Sequence, residues 1–125
     1  MSELPSLNTA TIWGIIKAEI DDNTANRLVW HYLGYRYDPA RENWDNSNVS
    51  QEWRSQYPTP PDFIAYRPPT VKLTRSIPKP NKQLLKEKLG FQGYKIGEFT
   101  PAQARRATMA NWLLSYMVEN DIEIN

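Results

Sequence analysis

The chain has 125 residues, 40% of them apolar, with five Trp, seven Tyr and three Phe, enough for one aromatic-rich core without covalent staples. It has no cysteine, which excludes disulfides, thiolate nucleophiles and the usual structural zinc sites and fits a reducing compartment. The net charge of +1 conceals a segregation: five Lys/Arg face nine Asp/Glu in residues 1–66, ten face two in 67–106, and none face three in 107–125.

The first residues carry no basic start and no apolar run, and no stretch of about 18 apolar residues follows, so neither a signal peptide nor a membrane span is expected. A cytoplasmic location is the expectation. The first element is a helix over about 9–20, capped by Asn8, with Ile12, Ile16 and Ile20 in line. Asp22, Asn23 or Thr24 can cap a second over 24–33, where Ala25, Leu28, Val29, Tyr32 and Leu33 recur at helical spacing and Gly34 offers a stop. Together they make an αα-hairpin.

From Tyr35 the period changes to two. Tyr35 and Tyr37 read as a strand, Asp38-Pro39 as a turn and Asn43-Trp44 as a returning strand. Ser50 can cap a short helix carrying Trp53 and Tyr57, which Pro58 ends. The five prolines within 58–69 mark a stiff, extended connector with one turn near 62–66, held down by Phe63 and Tyr66. Val71, Leu73 and Arg75 alternate with Lys72 and Thr74, which predicts a strand over 70–75.

Pro80 then opens a helix to about Leu89 with Leu84, Leu85 and Leu89 inward, and Gly90-Phe91 stops it. Tyr94 and Ile96 suggest a last short strand. The strongest helix signal covers 101–118: Thr100 as cap, Pro101 at the first position, Gln103 completing a capping box, and a stripe of Met109, Trp112, Leu113, Tyr116 and Met117 that should pack on the first two helices. About four helices with a few short strands, in no alternating order, give an α+β, mostly helical fold in one domain. Residues 1–7 and 119–125 are expected to fray, and a monomer is assumed.

Several long runs of unusual words occur together: LVWHYLGYRYDP (28–39), EWRSQYPTPPDFI (52–64), TRSIPKPNKQLLKEKLGF (74–91), GYKIGEFTP (93–101) and RRATMANWLLSYM (105–117). As a set they resemble an uncharacterised family, a domain of unknown function found mainly in cyanobacteria and plant plastids, from about Leu7 to Met117. The resemblance implies that setting. It implies no activity, cofactor or catalytic residue.

Chemistry is sparse. His31, the single histidine, sits at the flank of an apolar stripe and reads as a half-buried aromatic-like residue, since no orienting carboxylate or reacting partner is evident for a general base. Asp38, Glu42 and Asp45 lack the glycine and closing glutamate of a calcium loop, and Asp21-Asp22 reads as a helix-capping pair, so no metal site and no cofactor are expected. Gly90, Gly93 and Gly97 do not have phosphate-loop spacing.

Two basic features remain. Lys79, Lys82 and Lys86 fall on one side of the expected 80–89 helix, and Lys95 is close in sequence to the start of the last helix. Arg105 and Arg106 lie one turn into the last helix, and Arg105, four residues before Met109, is expected to point inward and pair with an N-terminal acid or hold a bound anion. The reading that follows is a non-enzymatic interaction module whose basic region 67–106 meets an acidic protein partner. Weak nucleic-acid binding by the same face is the rival, and a small enzyme or anionic-ligand binder around His31 and Arg105 is the rival of another class.

Overall fold

Asn8 starts the first helix as expected: its Oδ1 accepts from the Thr11 N–H at 2.9 Å, opening α1 over Thr9–Ile16. The structure, a computed structural model, describes residues 3–95, 97 and 100–124. α1 ends four residues earlier than its hydrophobic spacing suggests. Ala18 takes a left-handed φ of 58°, and the Glu19 and Ile20 N–H groups both turn back onto the Gly14 carbonyl. Ile20 folds over Gly14 instead of extending the stripe.

α2 runs over Asp22–Leu33, capped by Asp21, whose Oδ1 accepts from Thr24 N–H at 2.7 Å, one residue before the capping candidates named above. Gly34 ends it at φ 113°. The expected hairpin follows as β1 (Arg36–Asp38) and β2 (Asn43–Asp45), antiparallel with Tyr37 opposite Trp44. Trp44 packs edge-on to both Tyr37 and Trp30. α3 is one short turn, Gln51–Arg54, that buries Trp53; Ser50 precedes it but makes no side-chain cap.

Residues 58–66 wrap the surface as a connector held at Asp62. Asn26, buried on α2, accepts from Phe63 N–H and donates to Asp62, which also accepts from the Ile64 and Ala65 N–H groups. Phe63 is buried beneath this clamp, whereas Tyr66, the other expected anchor, is 64% exposed.

The expected strand over 70–75 is instead a helix, α4, over Arg67–Ser76. Pro68 and Pro69 occupy its first turn, where no intrahelical partner exists for an N–H and their absence costs nothing. Its buried side chains, Pro69, Thr70 and Leu73, then Ile77, follow helical rather than alternating spacing. The expected 80–89 helix is divided in two, a 3₁₀ turn at Lys79–Asn81 and α5 over Leu84–Leu89. Gly90 closes α5 in the left-handed region, with Phe91 N–H reaching Leu85 O.

Tyr94 lies in a loop, not a strand, with its hydroxyl 3.0 Å from Ile16 O and 3.1 Å from Gln103 O; Ile96 falls outside the described residues. α6 spans Pro101–Glu119, capped by Thr100, whose Oγ1 accepts from Gln103 N–H. The capping box is half made: Gln103 Oε1 is buried without a hydrogen-bond partner.

α6 is the axis of the fold and packs against α1, α4, α2 and α5. Met109, Leu113, Leu114 and Met117 are fully enclosed, while Trp112 and Tyr116 are only partly covered. The Trp112 indole N–H donates to Ser76 Oγ at the edge of α4. Leu4 and Leu7 before α1, and Ile122 and Ile124 after α6, rest against the core where frayed ends were expected. The class is α+β and mostly helical, and among the described residues no helix is long and apolar enough to cross a membrane.

Candidate binding groove

α4 and α6 run in the same direction. Arg105 near the start of α6 donates to Ile64 O just before α4, and Trp112 further along meets Ser76 at the end of α4. Parallel helices leave a furrow between them, and the third wall comes from Lys82-Gln83, α5 and the Phe91–Gly93 loop. A polar network fixes that wall on α6: Asn111 Oδ1 accepts from Leu85 N–H, its amide donates to Asn81 O, and Asn81 donates to Ser115 and Glu119. Burying these amides is favourable only because each finds partners.

The furrow holds two adjoining hollows. One of about 450 Å³ lies between Arg67, Val71 and Thr74 on α4 and Pro101, Ala104, Arg105 and Thr108 on α6. The other, about 400 Å³, is lined by Thr74, Lys82, Leu85, Lys86, Ala107 and Thr108, among others. Thr74 and Thr108 belong to both, so the hollows form one groove along the first half of α6. Both threonine hydroxyls bond back to their own helices, at Thr70 O and Ala104 O, which leaves their methyl groups for the groove. Its cations are Arg67 and Arg105 at one end and Lys82 and Lys86 at the other. Among the described residues no carboxylate lines either hollow.

The sequence-selected basic residues separate into three groups. Lys82 and Lys86 share the groove, and Lys82 also donates to Thr74 O, capping the end of α4. Arg105 is half-buried and lines the same groove. Lys79 and Lys95 are exposed and line neither hollow. Because the helix over 80–89 is broken at Lys82-Gln83, Lys79 does not continue the face of Lys86.

Arg106 is a correction. It, and not Arg105, is the inward arginine: it is 4% exposed, donates to Ile15 O at 3.1 Å and pairs with Asp22 at 2.5 Å. Its place follows from the buried row Arg106, Met109, Ala110, Leu113, which Arg105 flanks. It ties α6 to α1 and α2 and does not face the groove. Arg67, which completes the cationic end, was missed because 70–75 read as a strand; the Thr70–Leu73–Ile77 spacing was the available signal.

His31 lines a separate hollow of about 210 Å³ with Arg27, Arg36, Tyr37 and Trp44. Burial, then the Arg36 guanidinium, lowers its pKa from 6.5. His31 and Arg105 therefore do not converge on one site. Among the described residues no three His, Asp or Glu side chains gather as a metal site.

Residues 6–118 match the family described as a domain of unknown function (DUF1823). No curated protein matches the chain. A protein structure determined by solution NMR is similar over 97% of this chain and 99% of its own, at 54% sequence identity and a TM-score of 0.82.

Proposed function

We propose a binding function for this chain, which belongs to the DUF1823 family. The protein is a non-enzymatic interaction module that receives an acidic protein partner in the groove between α4, α5 and α6. One observation carries the reading: four cations, Arg67, Lys82, Lys86 and Arg105, line one groove, and no described carboxylate there neutralises them. A positive concavity focuses its field and steers acidic surfaces toward it. The cysteine-free composition suits a reducing compartment, in keeping with a cytoplasmic, cyanobacterial or plastid setting.

The test reverses Arg67 and Lys86 to Glu together, one at each end of the groove, and leaves Lys82 alone, because Lys82 also caps α4. The reversed chain should stay folded and bind its partner at least about tenfold more weakly, with the wild-type interaction weakening as salt rises. Nuclease treatment should leave the partner in place. Retention of every partner by the folded variant at low salt would sink the proposal, and loss to nuclease would move the function to nucleic acid.

A further inference from the structure

The groove is basic only at its ends. Between them the α4–α6 hollow is mostly apolar, with Val71, Ala104 and the two threonine methyl groups, and the adjoining hollow adds Leu85 and Ala107 beside the polar Gln83, Gln92 and Asn111. A partner that matched the cations alone would leave this floor wet.

Backbone chemistry narrows the occupant further. All three walls are helices, turns or a loop, and neither strand contributes to them. An extended peptide laid there would find no free row of N–H and C=O groups to pair with its own, and buried unpaired backbone is costly. The groove threonine hydroxyls are already bonded to their own helices, and the Asn111 amide is engaged by Leu85, Asn81 and Lys82. A helix brings its backbone hydrogen bonds with it. From Pro101 to Asn111 the floor runs about 15 Å at the helical rise, which a guest of about ten residues, or three turns, would match.

We infer that the occupant is an amphipathic α-helix of about three turns, apolar along its centre and acidic at both ends of the same face. This rests on the acidic-partner reading above and specifies the form the partner takes. The acids meet Arg67 and Arg105 at one end and Lys82 and Lys86 at the other, and the apolar stripe covers Val71, Ala104 and Ala107. The guest completes a helix layer that α4 and α5 leave open over α6.

The probe is a hydrocarbon-stapled peptide of about twelve residues, with leucines one and two turns in and glutamates at both ends of that face. It is titrated into the isotopically labelled full chain and followed by amide shifts. Shifts should concentrate at Val71, Thr74, Ala104, Ala107 and Thr108, and binding should weaken about tenfold in Arg67→Glu or Lys86→Glu. A peptide of the same composition broken by a central proline should bind about tenfold more weakly, because it loses the preformed helix. Equal binding by the proline peptide would overturn the helical guest and leave the acidic-partner reading intact. So would no groove shifts with the stapled peptide, if an acidic partner were still recovered in a manner dependent on Arg67 and Lys86. An RNA oligonucleotide that produced the same shifts and displaced the peptide would overturn both.

Discussion

Arg105 and Arg106 are sequence neighbours with opposite duties, one on a groove and one in the core. Arg106 is enclosed while the Asp22 side chain is 68% exposed, so the two ends of this ion pair are not equivalent. Replacing Arg106 by Met keeps much of the stem but removes charged hydrogen bonds to Ile15 O and Asp22, and should lower stability by about 2 kcal/mol in denaturant melts. Asp22→Ala should cost less, because Arg106 keeps its bond to the Ile15 carbonyl and solvent reaches the pair from the Asp22 side. Two titrating groups, Asp62 and His31, contribute to the pH dependence of stability below neutrality. Burial opposes the Asp62 carboxylate, but the Ala65 N–H, the Asn26 amide and the Ile64 N–H together outweigh it and hold its pKa below 3.8. His31 is likewise depressed below 6.5, by burial first and Arg36 second. In both cases the unfolded chain takes up the proton more readily than the folded one, so each contribution is present above the unfolded pKa and is lost as pH falls through the folded value. Melting temperature should therefore decline from about pH 6.5 downward and again below about pH 4. His31→Gln should flatten the first decline and Asp62→Asn should lessen the second, to which the carboxylates of Asp21 and Asp45, held down by hydrogen bonds from Thr24 and Ser47, also contribute.

At the scale of elements, glycine conformation separates two helix ends that look alike in sequence. A Cβ on Gly34, at φ +113°, would sit 2.4 Å from Asn48 O, so Gly34→Ala must move backbone and should cost roughly 3 kcal/mol or more. Gly90, at φ +71°, has no heavy atom within 4 Å of that position, and its alanine variant should lose only the left-handed strain, about 1–2 kcal/mol. Paired thermal melts distinguish the two. Both stops, the helices α1 and α2, the β1–β2 hairpin and α6 were legible because caps and periodicity act within a few residues, but the expected αα-hairpin was not found: α1 and α2 each pack on α6. α4 was not. Six residues rich in Thr and Val satisfied an alternating pattern, and the prolines before them looked like an ending when they were a first turn. The split at Lys82-Gln83 was illegible for another reason: it follows from Asn111 holding Leu85 N–H and Asn81 O from across the core. The groove inherits both errors. Lys82, Lys86 and Arg105 could be chosen from sequence, but not that they face the wall carrying Arg67.

Over the whole molecule, charge segregation along the chain becomes only partial segregation in space. Of the basic middle segment, Arg106 is drawn inward to Asp22, Lys72 lies over the Trp53 ring, and Lys82 caps α4. The reversal of Arg67 and Lys86 therefore touches exposed residues that, among the described residues, tie down no other element, and its melting temperature should stay close to that of the wild type. That separability makes the binding test interpretable.

The central position of α6 has a consequence in time. Helices α1, α2 and α4 all turn apolar surface toward it, yet it follows them in the chain by more than half the sequence in the case of α1. During synthesis, at roughly 5–20 residues per second, those surfaces emerge seconds before anything can cover them. The local stops at Gly34 and Gly90 and the Asn26–Asp62 clamp can form early, but burial of Ile12, Leu28 and Leu73 must await residues 101–119. The nascent chain thus passes through an interval in which its apolar helix faces are made but have nothing to pack on, and helices as short as α1, α2 and α4 gain most of their stability only when α6 arrives.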